Sequence, residues 1–204
     1  MKSNATKKLA VAGILCAVAV AGSLLSFPVL GSKCAPVQHM VNILCAVFLG
    51  PWYGVGVAFA ASLLRNLLGL GSLMAFPGSM CGALLCGLVY WKTKNLPLTL
   101  AAEVIGTGII GGLAAYPVAK GLMGLTPTAY TVYIVPFLIS TVAGSILAGI
   151  LVFALEKSGA VKSMRASLER RGASYDRLYP FGGDTPPAAS DPLRQQHRLR
   201  QRLR

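Results

Sequence analysis

Apolar residues run in six blocks along the first 155 positions, at roughly 9–30, 37–49, 52–69, 74–91, 97–120 and 130–155, parted by short polar or Gly/Pro-rich breaks. About 20 apolar residues at 1.5 Å rise each cross a hydrocarbon core of about 30 Å, so most of these blocks predict membrane-spanning helices. The second block is different. Its 13 residues reach only about 20 Å. If Gly50-Pro51 fixes its inner end, its outer end stops below the membrane surface and the segment 31–36 must dip inward. Backbone without a helix is tolerated at that depth only against protein or a watery cavity. Gln38, His39 and Asn42 occupy this recessed end, with Gln38 and Asn42 on one helix face. The third block closes on Arg65-Asn66, and the fourth opens on Ala75-Phe76-Pro77-Gly78-Ser79, so both bring polar groups to the rim of the same pit.

The first block could be a secretory signal, since Ala19-Val20-Ala21 mimics a cleavage site. Its 22 residues exceed the usual apolar core of about 7–15 residues in such signals, which favours a retained span. The expected fold is therefore all-α, an integral membrane protein of six transmembrane helices over residues 1–157.

Charge fixes the orientation. The first 155 residues hold eight Lys/Arg against one acid, Glu103, and the last 49 hold eleven against five. Lys2, Lys7, Lys8, Lys92, Lys94 and the 157–171 cluster fall on one side, Lys33, Lys120 and Arg65 on the other, which predicts both termini in the cytoplasm. Trp52 and Tyr53 suit an interfacial anchor on that inner side. The basic residues flank apolar runs instead of covering a polar surface, so the positive charge reads as topology and contact with anionic lipid, and nucleic acid is not an expected partner. Residues 158–204 read as a basic cytoplasmic tail, with a short interfacial helix over 157–171 and a disordered remainder rich in Pro, Gly and Arg.

Five cysteines lack any CxxC spacing and read as small core hydrophobes, and one histidine outside the tail excludes a multi-His metal site. His39 reads either as a ligand-binding imidazole or as a satisfied structural one, and Arg65 either snorkels to the interface or closes the site with Asn66. Phe76, Tyr116, Tyr130 and Tyr133 fall at outer helix ends, as interfacial belt or as stacking walls for a flat guest. Glu103, a lone intramembrane carboxylate, reads as a proton site, as a partner of Thr107 four residues on, or as a residue snorkelling to the inner side. Gly13, Ala17 and Ala21 repeat at four-residue spacing on the first block, as Ser140, Gly144 and Ala148 do on the sixth; either stripe can pack inside the fold or face a partner helix. A Ser79–His39 dyad is conceivable, but no GxSxG elbow surrounds Ser79, and no GxxxxGK[ST] phosphate loop exists, so neither hydrolysis nor ATP binding is expected of this chain.

Four strings together carry a resemblance: Pro36-Val37-Gln38-His39, Leu49-Gly50-Pro51-Trp52-Tyr53, Leu63-Leu64-Arg65-Asn66-Leu67-Leu68-Gly69 and Ala75-Phe76-Pro77-Gly78-Ser79. With Glu103-Val104-Ile105-Gly106-Thr107-Gly108 and Ala115-Tyr116-Pro117, the segment up to about residue 157 resembles the ThiW-type substrate-binding (S) subunits of energy-coupling factor vitamin transporters. The resemblance implies capture of the hydroxyethylthiazole precursor of thiamine from outside. It further implies delivery through a transmembrane coupling protein driven by two ATPase subunits, with no cofactor in this chain. It also implies docking through a small-residue pattern on the first helix, which Gly13, Ala17 and Ala21 fit with Gly in place of the first Ala. The expected binding residues, chosen by position, are Gln38, His39, Asn42, Arg65, Asn66, Phe76, Ser79, Tyr116, Tyr130 and Tyr133, with the segments 31–36 and 71–77 gating access. The rival reading is an autonomous proton-coupled carrier using Glu103.

Overall fold

A computed structural model describes residues 2–29 and 32–169. The chain is mostly helical: α1 (Lys2–Gly22, closed by a 3₁₀ turn Ser23–Leu25), α2 (Pro36–Phe48), α3 (Pro51–Leu67), α4 (Ala75–Thr93), α5 (Leu96–Glu103), α6 (Gly112–Gly121), α7 (Ile134–Lys157) and α8 (Ala160–Glu169). A π-helical stretch, Val104–Gly111, joins α5 and α6 into one continuous helix. Three helices are long and apolar enough to cross a membrane: Ala5–Leu25, Leu96–Gly121 and Ile134–Lys157.

The second apolar block forms the 13-residue helix α2 that its length predicts, opened by Pro36 at the first helical position. It is the centre of the bundle. Every residue from Val41 to Leu49 is buried, as expected of a helix apolar on all sides. Gly50 turns the chain into α3 with φ +92°, a conformation that costs a glycine nothing.

One element departs from the all-α expectation. Phe27–Val29 (β1) and Ser32–Cys34 (β2) pair antiparallel, with Phe27 opposite Cys34 and Val29 opposite Ser32. This hairpin ends the first apolar block early and leads directly into α2. It is tied to α7, since the Cys34 thiol donates to Pro136 O (3.2 Å) and Ala35 N donates to Ser140 Oγ (2.9 Å). The inward-dipping loop expected before α2 is therefore in part a strand, whose backbone bonds satisfy polar groups that a loop would leave bare.

Tight helix approach sets the rest. A Cβ on Gly111 would lie 2.7 Å from Gly78 Cα, and one on Gly106 would lie 3.0 Å from Gly82 Cα, so the π stretch and α4 meet backbone to backbone. A Cβ on Gly144 of α7 would collide with Pro36 O and lie 2.7 Å from His39 Cβ. The small-residue stripe Ser140, Gly144 and Ala148 is buried in this way against α2. At the far end from the hairpin, α8 buries Val161 and Leu168 in the core, and Arg165 stacks over Tyr90 at 5.0 Å. The unstructured tail expected from the sequence falls on residues 170–204, outside the described residues.

Candidate functional site

The first turns of α2 carry three polar side chains into the interior, with Gln38 2%, His39 7% and Asn42 0% exposed. Buried polar groups need partners, and here the partner is Glu103, itself wholly buried. Its Oε1 accepts three hydrogen bonds at 3.0 Å each, from His39 Nδ1, Asn42 Nδ2 and Thr107 Oγ1. The close packing of α4 on the π stretch makes this geometry possible: a Cβ on Gly82 would lie 2.7 and 2.8 Å from the two Glu103 oxygens. Among the described residues Glu103 Oε2 has no hydrogen-bond partner.

The network continues upward toward the hairpin. Asn42 Nδ2 also donates to Ser79 O (3.1 Å), and Asn42 Oδ1 accepts from Gln38 Nε2 (3.3 Å). Gln38 Oε1 in turn accepts a long contact, 3.5 Å, from Arg65 Nη1. A polar chain thus runs Arg65–Gln38–Asn42–Glu103–His39, crossing from α3 through α2 to the end of α5 and back to α2.

Above it lies a small cavity of about 30 Å³, lined by Ser32 and Lys33 of the hairpin, Ala35, Gln38 and His39 of the α2 start, Arg65, Ser72, Ala75, Ser79, and Pro136, Phe137 and Ser140 of α7. That volume holds about two water molecules. Arg65 is 3% exposed and therefore turned inward, so the snorkelling alternative does not hold. The segment 71–77 contributes Ser72 and Ala75, and β2 roofs the cavity.

Of the ten expected binding residues, Gln38, His39, Arg65 and Ser79 line the cavity and Asn42 lies directly beneath. The other five lie elsewhere. Asn66 turns its amide to Ser62 O (2.8 Å) and Ser72 O (3.1 Å), holding the α3–α4 loop in shape. Phe76 leans on Phe59 with ring centres 5.6 Å apart. Tyr116 and Tyr130 stack on each other at 4.5 Å, and Tyr133 is buried in a separate apolar cluster with Met74, Ala115 and Phe137. The aromatic wall that does reach the cavity is Phe137, which the sequence analysis did not single out. Glu103, expected as a proton site, as a partner of Thr107 or as a residue snorkelling inward, is bonded to Thr107 and also to two of the expected binding residues, His39 and Asn42.

Catalysis finds no support in the geometry around Ser79. Its hydroxyl donates to Ala75 O (2.7 Å) and pairs with Ser62 Oγ (2.9 Å), and among the described residues it has no bond to His39. His39 Nδ1 is committed to Glu103. The histidine's Nε2 has no partner among the described residues and remains available to a guest.

On the outside of the bundle, Gly13, Ala17 and Ala21 are all exposed, and a Cβ on Gly13 would meet nothing within 4 Å. Of the two small-residue stripes, one is internal packing and the other is bare.

No curated protein and no solved structure is detectably similar to this chain. A family model does match: the thiamine-precursor transporter protein ThiW, over residues 9–158. That match takes in α1 through α7 with the hairpin and every cavity-lining side chain, and it agrees with the apolar helices of a membrane protein. The chain belongs to the ThiW family of thiamine-precursor transporters.

Proposed function

We propose that this chain is the substrate-binding subunit of an energy-coupling factor uptake system and takes up a thiazole-type thiamine precursor, the hydroxyethylthiazole moiety, in the cavity above α2. The observation that carries the reading is the buried chain Arg65–Gln38–Asn42–Glu103–His39 ending under a hairpin roof. Ionisable and amide groups gathered at the centre of an apolar bundle are expensive to place there and mark a functional site by default. In this reading six helices span the cell membrane, residues 1–157 form the transport domain and 158–204 a cytoplasmic tail, both termini lie inside, and the hairpin faces outward. A thiazole of about nine heavy atoms does not fit a space of two waters, so loading requires β2 to lift from Pro136 and Ser140, a step the 71–77 segment accompanies. Nanomolar capture corresponds to about −12 kcal/mol. That is near the ceiling for so small a ligand, and it demands contact with nearly every atom, which a closing roof supplies. The exposed Gly13–Ala17–Ala21 face meets the coupling protein, and two ATPase subunits on that partner use the ATP.

Titration calorimetry on the detergent-purified chain tests this. Hydroxyethylthiazole should bind far more tightly than the aminopyrimidine precursor or intact thiamine; preference for either of those would sink the thiazole assignment.

A second reading has one observation in its favour. Glu103 Oε2 is buried without a partner, which suits a carboxyl that takes up and releases a proton in an autonomous carrier. Uptake into liposomes containing this chain alone, abolished by Glu103→Gln, would establish that reading instead.

A further inference from the structure

The cavity holds one feature that a neutral alcohol does not explain. Arg65 is 3% exposed and lines the space, yet its Nε has no partner and its guanidinium makes a single 3.5 Å contact, to the neutral Gln38. Among the described residues no carboxylate pairs with it; the acid of the site, Glu103, is bonded to His39, Asn42 and Thr107. A buried guanidinium without a counter-charge is unfavourable and is normally repaid by an anion, which its planar fork grips through two parallel bonds. The surroundings have the same sign. Lys33 lines the cavity from the hairpin, holding Gly69 O at 3.2 Å from an exposed position where it can turn inward. The cavity also sits on the first turn of α2, where the helix dipole presents its positive end. The stacking walls that a flat uncharged ring would need are reduced to Phe137.

We propose that the guest presents an oxyanion to Arg65, so that the preferred ligand is the phosphate monoester of the thiazole alcohol and not the free alcohol. The inference rests on the thiazole reading above and specifies the ionic form taken. The ester oxygens occupy the Arg65–Lys33 side of the cavity, and the ring lies toward His39 and Phe137.

The test is a calorimetric comparison on the full chain with two probes, hydroxyethylthiazole and its phosphate monoester. The wild-type protein is expected to bind the ester at least tenfold more tightly. Arg65→Gln brings the ratio of the two affinities to within about threefold of unity, whatever it does to each, and Arg65→Lys retains part of the preference. A monodisperse elution profile certifies that each variant is folded. An alcohol that binds as well as the ester, or a ratio that survives Arg65→Gln, overturns the proposal and leaves the thiazole reading standing. Failure of both probes to bind overturns the two together.

Discussion

Glu103 is the residue on which the interior polar network converges, and its environment explains why Gln38, His39 and Asn42 occur in an otherwise apolar helix. Removing one partner of a buried hydrogen bond costs about 1–3 kcal/mol, because the other group is left unsatisfied. His39→Ala and Glu103→Gln should therefore each lower thermal stability, and the double variant should lose less than the sum. A coupling of about 0.5–3 kcal/mol is expected for groups in contact, and strict additivity would contradict the 3.0 Å contact. Gly82→Ala offers a second check, because its Cβ would press on both Glu103 oxygens and on the Thr107 hydroxyl. It should lower the melting temperature and weaken thiazole binding together, whereas Gly13→Ala, with open space around it, should do neither. At this scale the sequence was informative about residue types and mute about pairing. Gln38, His39 and Asn42 were identifiable from a helix too short to span. The bonds of His39 and Asn42 to Glu103 reach across 64 and 61 positions and depend on how closely the helices approach, which local spacing does not encode. The aromatic residues follow a related rule: Phe76, Tyr116, Tyr130 and Tyr133 pack against other side chains, and local spacing does not encode those contacts.

At the scale of elements, length and apolar patterning located the helices from α2 to α7 to within about four residues but placed the first one seven to eight residues too far along, and Pro36, Pro51 and Pro97 mark starts by occupying first-turn positions. Two features escaped. The hairpin was read as the end of the first apolar block because Phe27-Pro28-Val29 continues its hydrophobicity, and only the Cys34 and Ala35 bonds to α7 reveal it as a roof. The π stretch was invisible because a glycine-rich apolar run is equally compatible with an α-helix. The roof makes a prediction of its own. Ser140→Ala removes the hydroxyl that holds Ala35 N, so ligand should dissociate several-fold faster in a stopped-flow or filter-release measurement, with the fold intact. An unchanged rate would mean that the hairpin does not gate. The exposed stripe of α1 makes another. Gly13→Leu combined with Ala17→Leu should preserve thiazole binding and abolish copurification of the coupling protein; retained copurification would move the docking face elsewhere.

Among the described residues the most polar cluster is buried and the small-residue face of α1 is exposed, an arrangement that suits the proposed carrier, with cargo inside and a partner helix outside. The polar chain from Arg65 to Glu103 links the cavity to the continuous helix Leu96–Gly121, so cargo at one end can bias a helix that runs the length of the bundle. The sequence carries no GxxxxGK[ST] phosphate-binding loop, so in the proposed uptake system ATP is used by the partner subunits. The central claim is that the cavity above α2 takes a thiazole-type precursor, and mass spectrometry of the small molecule released on denaturing protein purified from thiazole-fed cells tests it most directly. The account predicts a thiazole-bearing compound near one equivalent per chain, lost in Asn42→Ala; a pyrimidine or intact thiamine in its place, or a thiazole yield that Asn42→Ala leaves unchanged, would contradict it.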